Sequence, residues 1–210
     1  MTDLSRYWPD MLADHTEITD RLLAAYDDPG RAYHNRVHLS EVLERIDVLL
    51  AAEPAQGVDR DALLLAAWFH DAVYDSAGNN EERSARLAER VLATAAAPPL
   101  LIDEVARLVR LTATHKPGAD DRTGKVLCDA DLGILAGDDA RYREYAEAVR
   151  QEYAVIPDDQ FRAGRADILR RLLASPTLFS TSFAQQHWED TARRNVAREL
   201  GALEPAAGGS

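Results

Sequence analysis

The sequence has little cysteine, no long apolar run and no recognisable export signal. Its single cysteine, Cys128, excludes an internal disulfide framework and fits a reducing compartment. The longest unbroken apolar run, Ala62 to Phe69, falls far short of the roughly 20 residues that a membrane-spanning helix needs. Residues 1–10 lack the basic and apolar regions of a signal peptide. We therefore expect a cytoplasmic protein that does not engage a membrane.

Basic residues are in the minority: 24 lysines and arginines face 36 aspartates and glutamates, which gives a formal net charge of −12. Proteins that bind nucleic acid rely on clustered lysine and arginine to neutralise the phosphate backbone. The composition therefore argues against a nucleic-acid partner. A small phosphorylated molecule is compatible with an acidic protein, because one or two cations or a metal ion inside a pocket suffice to bind it.

The signatures of several common enzyme classes are missing as well. The sequence contains no Ser-His-Asp signature, no phosphate-binding Walker loop and no dinucleotide glycine fingerprint. It shows no sustained strand alternation and no internal repeat, whereas apolar residues recur at helical spacing along most of the chain. We expect an all-α fold of about seven to nine helices in a single domain over residues 1–204, followed by a disordered tail at 205–210.

Apolar periodicity also places the helices. An opening helix is predicted over Leu4 to Tyr26, ending at the Asp-Asp-Pro-Gly sequence of residues 27–30. Asn35 is placed to cap a second helix. The third helix, Ala62 to about Tyr74, is apolar on all sides and should be buried at the centre of the fold. Later helices are expected at Glu81 to Ala95, Leu100 to His115, Asp129 to Leu135, Ala140 to Tyr153, Asp158 to Ala174 and Phe183 to Leu200.

The first residues of chemical interest are His70 and Asp71, near the end of this apolar helix. An ionised carboxylate is very costly to bury without a partner. A divalent metal ion compensates such a charge well, since it takes imidazole nitrogen and carboxylate oxygen as ligands. The alternative is structural, with Asp71 in a helix-end salt bridge beside a hydrogen-bonded core histidine. Two adjacent residues alone do not decide between these interpretations.

Two further segments can converge on the same place. His38 shares a helical face with Val42 and so points toward the core that receives the His70 helix. Asp129 and Asp131 lie among apolar neighbours, but positions two apart on a helix do not share a face. If Asp129 caps a helix, Asp131 is the freer ligand. In the alternative, both aspartates are helix-start carboxylates and His38 is a hydrogen-bonded core histidine.

Taken in order, these residues resemble the signature of the HD superfamily of metal-dependent phosphohydrolases, which is a His, then a His-Asp pair, then a distant Asp. His38, His70, Asp71 and Asp131 follow that order. The resemblance implies a helical HD-domain fold, a metal held by those four residues and hydrolysis of a phosphate ester. The ligand set suits a divalent transition metal (manganese, iron, cobalt, nickel or zinc, with magnesium also allowed), as one or two ions.

A second motif extends the resemblance. Residues 33–38, Tyr-His-Asn-Arg-Val-His, look like the Tyr-His-Asn-x-x-His motif of the cyclic-nucleotide phosphodiesterases, which are HD relatives. In those enzymes the first histidine is the general acid and the second binds metal, so the resemblance assigns His34 the acid role and His38 the ligand role. Residues 130–132, Ala-Asp-Leu, are similar to the segment whose Asp is a ligand there. The sequence departs from those enzymes after Asp71, so their substrate class is not carried over.

The chain as a whole, from about Tyr7 to Leu200, looks like a subgroup of small bacterial stand-alone proteins described as predicted metal-dependent HD superfamily phosphohydrolases. The resembling stretches are residues 70–75, 80–85, 113–115, 129–132 and 161–165. The resemblance implies a phosphorylated small molecule, such as a nucleotide or a related metabolite, as the substrate. It does not identify which one.

Hydrolysis also needs a group that orients or deprotonates the attacking water. Asp75, Glu81 and Glu82 follow the His-Asp pair closely and are the acids predicted for that role. His34, within hydrogen-bond reach, would then protonate the leaving oxygen. These assignments concern residues around the metal rather than its ligands.

Substrate binding is predicted from His115 and three cations. His115 ends the fifth predicted helix and can contact phosphate or serve a second metal; alternatively, it is a C-terminal histidine favoured by the helix dipole. Lys116, Arg162 and Arg165 can supply the positive charge that a phosphate ester needs. The alternative for each of these three is a solvated surface cation.

Two other functions fit the same residues. Some HD-fold proteins with additional histidine ligands hold two irons and perform oxygenation instead of hydrolysis, and His34 and His115 make this conceivable here. A non-catalytic module that binds a nucleotide or metabolite in the same cleft is the third interpretation. Ligand-induced thermal stabilisation without turnover would support the module over an enzyme. Apolar helix faces also allow a homodimer.

Overall fold

The computed structural model describes residues 4–52, 57–75 and 78–204. Every regular element in these ranges is helical, which confirms the all-α fold class, although the α-helices number ten rather than seven to nine. The α-helices are α1 (Thr16–Tyr26), α2 (Arg36–Ala52), α3 (Arg60–Phe69), α4 (Asn80–Thr94), α5 (Pro99–Leu111), α6 (Arg122–Leu132), α7 (Asp139–Glu152), α8 (Asp158–Ala174), α9 (Ser182–His187) and α10 (Glu189–Leu203). The predicted tail at 205–210 lies outside the described residues.

The opening segment is not one continuous helix. Two short 3-10 helices, Leu4–Tyr7 and Asp10–Leu12, precede α1, and Pro9 separates them with an extended backbone (φ −61°, ψ 135°). The prediction of a single helix from Leu4 is therefore wrong, because proline lacks the N–H that a helix interior requires. The end of α1 at Tyr26, just before the Asp-Asp-Pro-Gly sequence, is as predicted.

Helix α3 is the buried centre of the fold. Its residues from Ala62 to Phe69 are all buried, as expected for a helix that is apolar on every side. It packs against α2, α5 and α6. It begins at the N-cap Asp59, which accepts a hydrogen bond from the backbone N–H of Ala62 at 3.0 Å. It ends at Phe69, earlier than predicted, so that His70 and Asp71 lie in the turn that follows.

Helix α6 starts well before the predicted position. Its N-cap is Asp121, which accepts a hydrogen bond from the backbone N–H of Gly124 at 2.8 Å. Asp129 is buried within the helix and accepts hydrogen bonds from the backbone N–H groups of Ser180 at 2.8 Å and Thr181 at 2.7 Å. The interpretation of Asp129 as an N-cap is therefore wrong. Its carboxylate instead fastens α6 to the start of α9.

The C-terminal region also differs in detail from the prediction. The single helix expected from Phe183 to Leu200 is divided at Trp188 into α9 and α10. Glu189, the first residue of α10, accepts a hydrogen bond from the backbone N–H of Leu178 at 2.9 Å, which ties the new helix start to the preceding loop. Helix α10 packs against α8. One hydrophobic core contains residues from both the N-terminal and the C-terminal half of the chain. None of the described helices is long and apolar enough to cross a membrane.

Candidate metal centre

Two imidazoles and two carboxylates meet just beyond the end of α3. The Nε2 atom of His38 lies 3.1 Å from Nε2 of His70, and 3.3 Å from both Oδ2 of Asp71 and Oδ1 of Asp131. Nε2 of His70 lies 3.1 Å from Oδ2 of Asp71 and 3.7 Å from Oδ1 of Asp131. We call these four residues the His-Asp cluster. The structure thus brings together all four residues that the sequence predicts as metal ligands.

Local capping and hydrogen bonds orient the two histidines. Asn35 caps α2 as predicted, since its Oδ1 accepts a hydrogen bond from the backbone N–H of Val37 at 2.9 Å, and His38 therefore lies in the first turn. Nδ1 of His70 donates to the backbone carbonyl of Ala67 at 2.8 Å. That bond leaves Nε2 of His70 as the nitrogen that faces the cluster.

Arg31 holds the turn that carries Asp71, although no motif in the sequence marks it. Its guanidinium donates to the backbone carbonyl of Asp71 at 2.6 Å and to that of Ala72 at 3.2 Å. The same group lies over the rings of Tyr26 and Tyr74. Because the turn is tied through its backbone, the carboxylate of Asp71 remains available to the cluster.

Burial makes this cluster electrostatically unusual. The side chains of His38 and His70 are about 1–2% exposed, and those of Asp71 and Asp131 are 13% and 15% exposed. Burial raises the pKa of Asp71, but the charges of His70 and His34 outweigh it and hold that pKa well below its usual range. Burial lowers the pKa of His70, but the carboxylates of Asp71 and Asp131 raise it to about 10. The cluster therefore binds a proton tightly, and a metal ion would have to displace that proton in order to bind.

The donor set and its spacing fit a divalent metal ion. The potential ligand atoms of His38, His70 and Asp71 all lie within 4.8 Å of one another. Neighbouring ligand atoms about 2.0–2.2 Å from one ion are roughly 2.8–3.6 Å apart in octahedral or tetrahedral geometry, close to the separations found here. Two imidazole Nε2 atoms at 3.1 Å cannot both carry a proton comfortably, and a cation between them removes that conflict.

His115 extends the site on the far side of Asp131. Its Nε2 lies 2.8 Å from Oδ2 of Asp131, whereas Oδ1 of Asp131 lies 3.3 Å from Nε2 of His38. His115 follows the end of α5 and has a left-handed backbone conformation (φ 51°). The two oxygens of Asp131 therefore serve two different groups of imidazoles. This arrangement can hold a second ion or position His115 toward a bound anion.

His34 is held beside the cluster by Glu152, a residue that sequence reasoning missed. Nδ1 of His34 lies 2.6 Å from Oε2 of Glu152, while Oε1 accepts hydrogen bonds from the backbone N–H groups of Tyr33 and His34, each at 2.8 Å. The ring of His34 stacks on Tyr74 with a centroid separation of 4.0 Å. These contacts leave Nε2 of His34 without a hydrogen-bond partner in the described part of the chain. No local pattern in α7 marks Glu152 in the sequence.

A cleft of about 710 Å³ opens over these groups, and His34, Asp71, His115 and Asp131 line it. Two more of the predicted residues, Glu81 and Arg165, also line it. Arg165 is already paired, because its guanidinium bonds both carboxylate oxygens of Glu199 at 2.7 and 3.0 Å. The lining therefore contains one of the three acids and one of the three cations predicted to act here.

The other predicted residues do not line this cleft. The carboxylate of Asp75 is bonded by Arg83 at 2.7–2.8 Å, and that of Glu82 is bonded by Arg110 at 2.6 Å. The two predicted cations Lys116 and Arg162 also lie outside the cleft. Lys116 is exposed to solvent, and Arg162 donates to the backbone carbonyls of Ala202 and Leu203 at the end of α10.

Comparison with known proteins adds no relative. The sequence matches no protein-family model, no curated protein and no solved structure. The site therefore has to be interpreted from its own geometry.

Proposed function

We propose that this protein is a metal-dependent phosphohydrolase that cleaves a phosphate ester of a small molecule. The observation that carries the proposal is the convergence of two buried imidazoles with two carboxylates that line an open cleft, which His34 and His115 also line. A divalent ion bound there supplies positive charge for the phosphoryl oxygens and lowers the pKa of a coordinated water. The HD-superfamily resemblance of the sequence supports the same conclusion.

His34 is the proposed general acid. The carboxylate of Glu152 fixes the proton on Nδ1, so that Nε2 of the charged imidazole can donate its proton to the leaving oxygen. Stacking on Tyr74 keeps the ring plane in one orientation. In this proposal, Nδ1 of His34 binds Glu152 and Nε2 transfers the proton.

Glu81 is the proposed acid for orienting water, because it alone among Asp75, Glu81 and Glu82 lines the cleft. It lies in the first turn of α4. His115 and Asp131 form the opposite side, where His115 can donate a hydrogen bond to a phosphoryl oxygen or hold a second ion. Arg165 is proposed to shape the cleft wall rather than to bind phosphate, since Glu199 and Tyr145 already accept hydrogen bonds from its Nε and Nη2.

The test is phosphate release from nucleotides, sugar phosphates and p-nitrophenyl phosphate with added manganese, cobalt, nickel or zinc. We expect metal-dependent turnover that Asp71→Ala reduces by about a thousandfold or more, since loss of a ligand removes the chemistry supplied by the ion. Asp139→Asn, at an exposed aspartate of α7, is the matched control for purity and folding. Turnover that survives in Asp71→Ala, or none with any metal, would reject the proposal.

The contact between His115 and Asp131 also favours a second candidate, the di-iron oxygenase. A carboxylate whose two oxygens face separate imidazoles is suited to bridging two ions. Iron-loaded protein with a mixed-valent electron paramagnetic resonance signal and oxygen uptake would favour this candidate. Activity of the colourless zinc form would reject it.

A further inference from the structure

We propose that the cleft takes a phosphate-bearing molecule whose other half is apolar, so that the substrate is a phosphate monoester of an apolar alcohol. The statement that this molecule is hydrolysed rests on the proposed function. The apolar nature of the alcohol is inferred from the side chains that line the cleft.

Aromatic and aliphatic side chains form much of the wall beyond the His-Asp cluster, with the polar side chains of Gln160, Asp167 and Arg171 beside them on α8. The apolar part comes from α7, the loop after it, and α8, and its members are Tyr145, Val149, Tyr153, Ile156, Phe161 and Ile168. On the side of α6, Leu132, Ile134 and Leu135 add apolar surface. Against this apolar part of the wall, a sugar or another polyhydroxylated group would lose hydrogen bonds to water that the aliphatic side chains cannot replace.

The mouth of the cleft exposes apolar surface to water. Tyr153 is 42% exposed and Ile168 is 44% exposed, and both line the cleft. Large apolar side chains that gather at the mouth of a cleft are typical of ligand-binding surfaces. An apolar group bound between them would remove this surface from water.

Two arginines, Arg165 and Arg171, line the cleft. Arg165 is buried and paired with Glu199, and Asp71, Asp131 and Glu81 make the surroundings of the cluster acidic. Arg171 lines the cleft at the outer end of α8. Additional phosphates beside these three carboxylates would be repelled by their charge. This charge distribution favours one phosphate with binding energy drawn from apolar contacts.

The first experiment compares primary alkyl phosphates from ethyl to hexyl, whose leaving alcohols have similar acidities. With the manganese-loaded protein, we expect kcat/KM to rise about two- to fourfold per added methylene until the wall is filled. The matched pair of glucose 6-phosphate and cyclohexylmethyl phosphate then compares polar and apolar rings of similar size. We expect the apolar member to be preferred by about tenfold or more.

A binding measurement keeps this inference separate from the proposed hydrolysis. Calorimetry with non-hydrolysable alkyl phosphonates should show Kd falling with chain length by a similar factor. If phosphates are hydrolysed but neither series depends on chain length, the apolar assignment is overturned and the hydrolase stands. If affinity rises with chain length while nothing is hydrolysed, the apolar cleft is supported and the hydrolase is overturned. Absence of both effects overturns both.

A pair of surface variants locates the effect. Ile168→Asn should reduce the chain-length dependence of both kcat/KM and Kd, because Ile168 lines the cleft. Val155→Asn, at a residue that is 79% exposed and does not line the cleft, should leave both series unchanged. Equal effects of the two variants would contradict the assignment.

Discussion

At the scale of single residues, Glu152 is the least expected part of the site. Its side chain is only 2% exposed. Its carboxylate accepts hydrogen bonds from the imidazole of His34 and from two backbone N–H groups. Burial raises the pKa of Glu152, but the hydrogen bond and charge of His34 outweigh it and lower that pKa below its ordinary value. Glu152 therefore stays ionised and holds His34 in one orientation.

In the variant Glu152→Gln, the imidazole of His34 should no longer be held in one orientation and protonation state. We expect kcat to fall about ten- to a hundredfold, because an amide cannot fix the proton on Nδ1 as a carboxylate does. Manganese affinity should change little, since Glu152 is not among the proposed ligands. The measurements are kcat, KM and calorimetric metal binding. Glu147→Gln, at an exposed position of the same helix, is the control.

A fall in metal affinity equal to the fall in kcat would show that Glu152 acts on the cluster instead. An unchanged kcat would remove His34 from the proposed mechanism. Either result leaves the His-Asp cluster itself intact as a hypothesis.

Residues such as His38 and Asp71 could be predicted from the sequence because short motifs and their order identify them. Glu152 and Arg31 could not, because their partners are distant in the sequence. Glu152 reaches a histidine 118 positions away, and Arg31 reaches a carbonyl 40 positions away. Such contacts depend on helix packing, which no local pattern encodes.

At the scale of elements, one carboxylate joins α2 to α7. Glu41 of α2 accepts bonds from Nε of Arg141 at 2.5 Å and Nη2 of Arg141 at 3.1 Å, and from Nη2 of Arg45 at 3.2 Å. Arg45 also contacts the backbone carbonyl of Ala130 in α6 at 3.4 Å. Glu41 thus links the helices that carry His38 and Glu152, and Arg45 links them to the helix that carries Asp131.

The variant Glu41→Gln should be less stable at neutral pH by about 1–3 kcal/mol, the usual contribution of hydrogen bonds to charged groups. Burial raises the pKa of Glu41, but Arg141 and Arg45 outweigh it and lower that pKa. A lowered folded-state pKa contributes stability above the ordinary value of 4.5, and this contribution is lost as the pH falls through the folded value. The stability difference between wild type and variant should therefore shrink in acid.

Urea unfolding of both proteins from neutral to acid pH measures this difference. Glu144→Gln is the control, because Glu144 contacts Arg141 at 3.6 Å but its side chain is 69% exposed. A difference that grows toward acid would contradict the assigned sign. A difference independent of pH would show that packing, rather than charge, is lost.

Helix positions were predictable where apolar periodicity was strong, and helix ends were less so. The boundaries of α8 match the prediction, and α3 is buried as expected. The start of α6 was missed because Asp129 resembles an N-cap in sequence, whereas its real partners, Ser180 and Thr181, come from a distant loop. A polar residue among apolar neighbours can cap its own helix or fasten another, and only the packing decides.

At the scale of the whole molecule, the His-Asp cluster joins three distant parts of the chain. His38 comes from α2, His70 and Asp71 from the turn after α3, and Asp131 from the last turn of α6. An ion bound to all of them would bind the folded chain only, because the unfolded chain does not bring these groups together. Metal binding and global stability should therefore be coupled.

Addition of manganese or zinc to the metal-stripped chain should raise Tm in a concentration-dependent manner. At a free metal concentration of about 100 Kd, the expected gain is about 2.7 kcal/mol, which corresponds to roughly 5–10 °C for a chain of this size. Asp131→Asn should lose most of this gain, because the ion loses a charged ligand, whereas Asp139→Asn should keep it. Differential scanning calorimetry before and after chelation provides the measurement. A gain that persists fully in Asp131→Asn would mean that the ion binds elsewhere, and the four residues would then be a buried ion-pair network that stabilises the junction of α2, α3 and α6 without metal.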